Sequence, residues 1–319
     1  MAITDPISQL DLLGAILFVQ VAATGLFDVA IDGMAVRTTP PEERARTNAV
    51  MFSGQAVGIV VGSVLFSQLL SAAGLPLAAA AQTALVLLLA VVPLLHWLAA
   101  SQEADAPQPE ALERGALLRD LGVGLLSRSS LLLAGVFVLT RVGTNTLDVM
   151  MTYEATGAWG WESATYSSTT GGLALVKVLG LVLGAALADR IGHVRGFLGC
   201  AALLVGLDVM VGLSVGMLAD QRLLVGYLVA NQLLAGMAGV AALALCMDLC
   251  HPRVAATQFT AYMALTNLST LGGDWLGGQL ADVVPLGRVF IVYASVQVVW
   301  LVLVGVGLDP EETRRRMAS

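Results

Sequence analysis

Apolar residues along the chain gather in nine long blocks, which are separated by shorter polar or glycine-containing stretches. Each block is long enough for a helix to cross a hydrocarbon layer about 30 Å thick at a rise of about 1.5 Å per residue. Barrel strands would be shorter and would alternate apolar with polar side chains. The pattern therefore predicts an all-α, polytopic membrane helix bundle. The nine predicted spans lie near residues 10–31, 48–70, 76–99, 130–151, 165–187, 195–217, 222–247, 255–280 and 287–308.

The composition agrees with a protein that lies in a bilayer. Of the 319 residues, 57% are hydrophobic and 12% are charged, and the mean hydropathy is +0.82. Soluble domains carry about 25% charged residues, so this composition excludes an ordinary soluble fold. The net charge is -7, and the sequence has no basic patch with interleaved aromatic residues. Nucleic acid is therefore not an expected partner.

The positions of the basic residues predict the orientation of the bundle. If the spans alternate and the C-terminus is cytoplasmic, twelve of the sixteen Lys and Arg residues fall on cytoplasmic loops. Only Arg222 and Arg288 then lie in outer connections. Cytoplasmic loops of membrane proteins are enriched in Lys and Arg, so we expect an integral protein of the cytoplasmic (plasma or inner) membrane.

Residues 100–129 form the longest break between predicted spans. This segment contains Pro107, Pro109 and clustered acidic residues, which are typical of a polar linker, and a short amphipathic helix is expected near its end. We expect a partial N-terminal bundle of three spans over residues 1–99, a cytoplasmic linker over 100–129, a C-terminal six-helix bundle over 130–309 and a cytoplasmic tail over 310–319.

Two basic residues lie inside predicted spans, where an ionisable group costs about 2.5–3.5 kcal/mol on insertion scales and marks a candidate functional site. Arg141 lies about eleven residues into its span, close to the midplane, and Lys177 lies in the middle of the next span. A guanidinium and an ammonium group suit a carboxylate or phosphate of a solute. The alternative is a buried pair with Asp148 or Asp208 that only holds helices together. We also place Asn145 and Asn231 among the candidate solute ligands, although such residues often bridge helices.

Two carboxyl groups are candidates for proton coupling. Asp28 lies near the end of the first span and Asp208 lies in the middle of the sixth. Burial brings the proton affinity of a carboxylate toward the working range of a transporter. The alternatives are that Asp28 pairs at the end of its helix with Arg37 or with the second loop, and that Asp208 neutralises Lys177.

Several apparent catalytic or metal motifs have simpler explanations. The GLSVG segment at 212–216 matches a hydrolase nucleophile pattern but lies inside an apolar block, so no catalytic residue is expected. Cys246, Cys250 and His251 have no fourth ligand nearby, so we expect packed thiols and not a metal site. No phosphate-binding loop occurs, and we expect no cofactor.

A row of glycines in the second span predicts helix packing. Gly54, Gly58 and Gly62 are spaced by four residues and therefore share one face of a helix. Small residues at this spacing let helices approach closely in membranes. The row indicates a bundle and not a chemical site.

The segments that leave the first and seventh spans are similar to each other. Beyond Asp32 lies RTTPPEERARTNAV, and Asp248 leads into LCHPRVAATQFTAY. Each segment has a Pro, then an Arg, then a Thr with an amide neighbour that opens the next helix. Parallel repeats of this kind build many transporters.

Three motifs carry a resemblance to a known family. The loop GAALADRIGHVR at 184–195 resembles the signature loop of the major facilitator superfamily in its second-half position. The segments DVAID at 28–32 and ATQF at 256–259 are similar to the muropeptide permease (AmpG-type) and acetyl-CoA transporter branch. The resemblance implies that the chain corresponds to helices four to twelve of a twelve-helix transporter, with the first three helices absent.

The resemblance and the charged residues together imply a secondary active transporter that moves a polar or anionic solute by alternating access, coupled to protons. Its partners are then a small solute, protons and lipid. Asp189 and Arg190 lie in a turn with Gly192 and are predicted to control gating. The alternative for these two residues is a solvated loop. The alternative for the whole chain is a truncated or degenerate membrane protein without transport activity, acting as a scaffold or remnant.

Overall fold

The computed structural model describes residues 10–102, 114–251 and 253–308, which form helices joined by short turns. These residues contain no strand. A helix satisfies its own backbone N–H and C=O groups, which is the requirement for apolar segments in hydrocarbon. The predicted all-α class is confirmed for the described residues.

The helices follow the apolar blocks, with boundaries that differ from the predicted spans by a few residues. Short 3-10 turns occupy Pro41–Glu43 and Val215–Ala219. The α-helices of the described residues are α1 (Leu10–Thr38), α2 (Arg44–Gln102), α3 (Arg114–Leu125), α4 (Arg128–Gly157), α5 (Ser163–Gly172), α6 (Ala174–Ile191), α7 (His193–Leu213), α8 (Gln221–Leu249), α9 (Ala255–Leu280) and α10 (Leu286–Gly307).

Helix α2 contains both the second and the third predicted span. Its backbone is interrupted at Gly74, which has a non-helical conformation (φ 77°, ψ 172°). Glycine tolerates positive φ because it has no Cβ atom. The predicted spans 48–70 and 76–99 lie on the two arms of α2, and one glycine separates these arms where the sequence predicted a longer break.

The fifth predicted span, 165–187, consists of two helices. Leu173 lies between α5 and α6, and its N–H is shared by the carbonyl oxygens of Thr169 and Thr170 at 3.2 Å each. A shared donor of this kind marks a local tightening of the helix. The segment Thr165–Ile191 is still long and apolar enough to cross a membrane as one span.

Five segments of the described residues have the length and composition of membrane spans. Helix α9 is not among them, because polar residues such as Gln258, Asn267 and Asp274 interrupt its apolar surface. The count of nine spans therefore stays a prediction. The five segments are Arg128–Gly157, Thr165–Ile191, His193–Leu213, Gln221–Leu249 and Leu286–Gly307, and Pro76–Val91 is a shorter apolar helix.

The chain divides into two compact units. The first combines the described parts of Met1–Asp28 and Val57–Ala116, and the second combines Val29–Ala56 with the described parts of Leu117–Ser319. Helix α3 begins at Arg114, within the predicted linker 100–129, whereas residues 103–113 and the predicted tail 310–319 lie outside the described residues. The predicted domain boundaries stay predictions.

The second unit is a bundle in which α4 packs on α9, α6 packs on α8, and α7 packs on α8 and α10. One apolar cluster surrounds Leu245, Met247 and Phe259, and a second surrounds Met150 and Phe290. All of the candidate solute ligands lie in this unit.

Glycines bring helix backbones into direct contact in this bundle. A Cβ atom added to Gly236 of α8 would lie 2.6 Å from the carbonyl oxygen of Lys177 in α6. One added to Gly273 of α9 would lie 2.5 Å from the carbonyl oxygen of Val142 in α4. Neither carbonyl can move away without displacing its helix, so these glycines fix the α6–α8 and α4–α9 distances.

Replacement of Gly236 by Ala therefore forces α6 and α8 apart. We expect Gly236→Ala to lower stability by about 1–3 kcal/mol through overpacking, measured as a lower midpoint of thermal unfolding in detergent. Gly239→Ala is the matched control on the same helix, because a Cβ atom there meets nothing within 4 Å. We expect Gly239→Ala to leave stability equal or higher. Equal effects of the two changes would contradict the close α6–α8 contact.

Candidate functional site

Three polar residues form a stripe on one face of α4. Arg141, Asn145 and Asp148 are spaced by four and three residues, so their side chains leave the helix in similar directions. Arg141 and Asp148 are exposed and Asn145 is partly exposed. The predicted shared face of these residues is therefore accessible to a solute.

Asn145 is held against the neighbouring helix. Its Nδ2 donates to Oδ1 of Asp274 in α9 at 3.0 Å. This contact lies beside Gly273, at the point where α9 approaches α4 most closely. Asn145 thus bridges two helices in this structure, and its Oδ1 has no hydrogen-bond partner among the described residues.

Arg141 and Lys177 lie within electrostatic range of the same carboxylate, Asp148. No ion pair joins Asp148 to either cation among the described residues. A second carboxylate, Asp274 of α9, also acts on Asp148. Two cations and two carboxylates therefore influence one another in this part of the bundle.

Lys177 lies one turn beyond the break between α5 and α6. Its backbone N–H donates to the carbonyl oxygen of Leu173 at 3.0 Å, and its own carbonyl faces Gly236. The main chain of Lys177 is therefore fixed on both sides by the break and by the α6–α8 contact. The side chain of Lys177 is partly exposed.

Asp208 and Asn231 belong to one polar chain between α7 and α8. Tyr227 Oη donates to Asp208 Oδ1 at 3.5 Å, and Asn231 Nδ2 donates to Tyr227 Oη at 3.3 Å. Asp208 is 2% exposed. Asp148 lies within electrostatic range of Asp208, whereas no ion pair joins Asp208 to Lys177 among the described residues. The buried partner of Asp208 is thus the hydroxyl group of Tyr227, and not Lys177, which was the alternative partner considered from the sequence.

Tyr293 joins α10 to the same region, and the sequence did not single it out. Its hydroxyl lies 2.9 Å from Thr144 Oγ1 and donates to the carbonyl oxygen of Thr140 at 3.2 Å. Its ring packs against Gly143, where no side chain intervenes. A tyrosine within an apolar block belongs to no recognisable sequence motif. Only the packing of the helices identifies Tyr293 as a neighbour of Arg141.

The remaining proton-coupling candidate, Asp28, belongs to the other unit. It lies on α1 with an exposed side chain. The side chain of Arg37, its alternative partner, lies outside the described part of the structure. The proposed role of Asp28 stays a prediction.

A second cluster of charges lies where α6, α7 and α8 meet the beginning of α2. Asp248, at the end of α8, is 5% exposed and binds two bases. Arg44 Nη1 lies 2.7 Å from Asp248 Oδ1, and His193 Nδ1 lies 2.7 Å from Asp248 Oδ2. Both carboxylate oxygens of Asp248 are therefore occupied. We call Asp248, Asp189, His193, Arg44 and Arg46 the helix-end cluster.

Asp189, a predicted gating residue, is a looser member of the helix-end cluster. His193 Nε2 and Arg46 Nε each lie 3.9 Å from one of its oxygens. Both oxygens are buried, and neither accepts a hydrogen bond from a described residue. Arg190, the other predicted gating residue, is exposed and forms no ion pair among the described residues. The structure thus brings Asp189, and not Arg190, into the cluster.

Gly192 makes this arrangement possible. It is the single residue between α6 and α7 and has φ 92° and ψ 148°. These backbone angles are almost exclusive to glycine. A Cβ atom at this position would meet nothing within 4 Å, so the backbone conformation, and not a lack of space, requires glycine here. The sharp turn brings the side chains of Asp189 and His193 together from two different helices.

A buried amide fixes the turn that follows Asp248. Gln258 Oε1 accepts from the N–H of His251 at 2.8 Å, and Gln258 Nε2 donates to the carbonyl oxygen of Leu249 at 3.0 Å and to Tyr262 Oη at 3.1 Å. Gln258 is completely buried. Its three hydrogen bonds hold the end of α8, and Asp248 with it, in a fixed position.

Among the described residues, no group of three or more His, Cys, Asp or Glu side chains is arranged to hold a metal ion. Cys246 and Cys250 are free and buried. Burial raises the pKa of the Cys250 thiol, which keeps it protonated and a poor metal ligand.

The contacts of Asp248 and Asp189, the two carboxylates of the helix-end cluster, should contribute differently to stability. Asp248→Asn leaves Arg44 and His193 without their charged acceptor, so we expect a loss of about 3 kcal/mol in stability. Arg46→Gln removes a long contact from a side chain that is 71% exposed, and we expect a loss below about 1 kcal/mol. Thermal unfolding in detergent measures both. Comparable losses would show that Asp248 does not anchor the cluster.

Comparison with known proteins shows a similarity in the first part of the chain. Residues 2–153 match the profile of the Major Facilitator Superfamily, which is slightly less than half of the chain. A search of curated proteins gives no match. The matched region includes α1, α2 and the part of α4 that carries Arg141, Asn145 and Asp148. This part of the chain is thus similar to the major facilitator superfamily.

Proposed function

We propose that this protein is a secondary active transporter of the major facilitator type, which moves a polar or anionic solute across the membrane by alternating access, coupled to protons. The observation that carries the proposal is that two cations inside apolar helices, Arg141 and Lys177, form no ion pair with a carboxylate of the described residues. Transporter sites lie near the middle of the bilayer, and both cations lie well inside apolar spans.

The two cations of this region favour an anionic group on the solute. Asp148 and Asp274 match them in formal charge, but neither carboxylate forms an ion pair with Arg141 or Lys177 among the described residues. The planar guanidinium of Arg141 binds a carboxylate or phosphate through two parallel hydrogen bonds, whereas Lys177 contributes a point charge. We propose both as solute ligands, with Asn145 and Asn231 as additional neutral ligands.

The lack of a direct ion pair argues against a purely structural role for these charges. A buried pair that locks helices together requires close contact between the charged groups, because only good geometry offsets desolvation. Asp148 has no such contact with Arg141 or Lys177 among the described residues. The two cations are thus available to a ligand.

Proton coupling is assigned in this proposal to Asp208 and Asp28. Asp208 is buried with Tyr227 and has no cation in contact among the described residues. Burying a charged carboxylate without a partner costs free energy. Binding and releasing a proton is therefore the least costly way for Asp208 to respond to a charge on the solute. Asp148 is the described charged group that links it to Lys177.

Gating is assigned to Asp189 and Arg190 at the ends of the helices. Asp189 is partly buried, its two oxygens accept no hydrogen bond from a described residue, and two bases lie at 3.9 Å. These contacts are longer than hydrogen bonds, and contacts of this kind can tighten in another conformation. We propose that the turn containing both residues changes its partners between states and does not bind solute.

The nine-span topology is part of the proposal, with residues 100–129 and the C-terminus on the cytoplasmic side. We expect a Cys at position 157 to react with a membrane-impermeant maleimide in intact cells, and a Cys at position 101 to react only after permeabilisation. The variants Gly157→Cys and Ser101→Cys are made after replacement of the three native cysteines, and that background is the control. Labelling of both positions from the same side would contradict the topology.

The role of Arg141 is tested by binding. The resemblance of DVAID and ATQF to the muropeptide permease and acetyl-CoA transporter branch makes N-acetylmuramyl dipeptide and acetyl-CoA the first probes. We expect one of them to raise the midpoint of thermal unfolding and to be taken up by proteoliposomes. Arg141→Ala should abolish both effects, and Arg141→Lys should weaken binding less, because it keeps the charge but loses the planar fork.

Two further variants control this test. Arg288→Ala removes an exposed arginine at the start of α10 and should leave binding unchanged. The double variant Arg141→Ala with Asp148→Ala separates the proposed role from a structural pair, since removal of both members of a buried pair can be nearly neutral. Restored binding in the double variant would reject Arg141 as a solute ligand.

A further inference from the structure

His193 lies between two carboxylates that come from different helices. Its Nδ1 is 2.7 Å from Asp248 Oδ2 at the end of α8, and its Nε2 is 3.9 Å from Asp189 Oδ1 near the end of α6. The side chains of all three residues are at most 11% exposed. Water therefore has little access to either ring nitrogen, and the two carboxylates are the groups that face the ring.

A neutral imidazole cannot serve both carboxylates. It carries one N–H, so the nitrogen that donates to Asp248 leaves the other nitrogen with a lone pair that faces Asp189. The imidazolium form carries two N–H groups and can donate to both. Asp189 also has two buried oxygens that accept no hydrogen bond from the described residues, and a second N–H on His193 would supply one donor.

The other charged groups around His193 carry a net negative charge. Arg44 binds the second oxygen of Asp248, and Arg46 lies near the second oxygen of Asp189. Glu43 also acts on Asp189, and the thiol of Cys250 lies within electrostatic range of Asp248. Two arginines offset the two aspartates, and Glu43 adds one negative charge. The surroundings thus accommodate one additional positive charge on the ring.

We propose that His193 is a proton-binding site, and that its imidazolium form joins the ends of α6 and α8 by bridging Asp189 and Asp248. Binding of the proton draws His193 Nε2 toward Asp189 and turns the loose contact into a charged hydrogen bond. Loss of the proton leaves His193 bound to Asp248 alone and frees Asp189. The site couples the pH at this end of the bundle to the contact between two helices, and it does not depend on transport.

Nuclear magnetic resonance tests this site directly, because the chain has only three histidines. The probe is the proton, and the sample is the full chain in detergent with labelled histidine rings. We expect the signal of the His193 ring to change from that of the neutral ring to that of the imidazolium as the pH is lowered. Its signal is identified by its loss in His193→Asn, or, if that variant does not fold, by assignment of the other two signals through His96→Gln and His251→Gln.

Replacement of each carboxylate separates a bridge from a single contact. We expect Asp248→Asn to lower the titration midpoint of His193 by about one pH unit or more, because a nearby carboxylate favours the charged ring. Asp189→Asn should lower it by a smaller but measurable amount. An unchanged midpoint in Asp189→Asn would overturn the bridge, and a ring that remains neutral down to pH 5 would overturn the proton site.

His251 is the internal control in the same spectra. It is 7% exposed, and its Nδ1 accepts a hydrogen bond from the N–H of Arg253 at 3.3 Å. We expect its signal to be insensitive to Asp189→Asn. Equal shifts of the His193 and His251 signals in that variant would indicate a general rearrangement and would contradict the specific bridge. Because no solute is present, these outcomes are independent of the proposed transport.

Discussion

The arrangement of the second unit depends on close contact between helix backbones at glycines. Gly236 lets α8 reach the carbonyl of Lys177, and Gly273 lets α9 reach the carbonyl of Val142. In a bilayer, helices gain little from excluding lipid, so van der Waals contact between backbones is a main source of association. The same contacts set the positions of Lys177 and Asn145. The close backbone contacts at these glycines therefore determine both the packing of the helices and the positions of these two candidate site residues.

The charged residues of the second unit form two groups with different degrees of pairing. In the helix-end cluster, both oxygens of Asp248 are bound at 2.7 Å, which is the geometry that a buried ionic contact needs to offset desolvation. Around Arg141 and Lys177, the charges act on one another without direct pairing among the described residues. The first group suits a contact between helices, and the second suits a charged ligand that arrives from outside.

Individual residues show how far sequence reasoning reached. The in-span charges Arg141, Lys177 and Asp208 were found because ionisable residues are rare in apolar blocks. The Asp189–Gly192 turn was found because the loop resembles a family motif. Tyr293 and His193 were not identified as site neighbours, since a tyrosine within an apolar block and a histidine at a helix start are common. The row Gly54, Gly58 and Gly62 was predicted to pack closely, but a Cβ atom at any of them meets no described residue within 4 Å.

The sequence by itself determined the helical class, the apolar blocks and the presence of charges inside them, because the bilayer imposes length and backbone pairing on every span. Tertiary structure decided which charges meet. Asp208 faces Tyr227 and not Lys177, and Asp248 gathers Arg44 and His193 from positions 204 and 55 residues away. Such pairings depend on helix rotation and on backbone distance at particular glycines, and neither quantity is encoded in local hydrophobic periodicity.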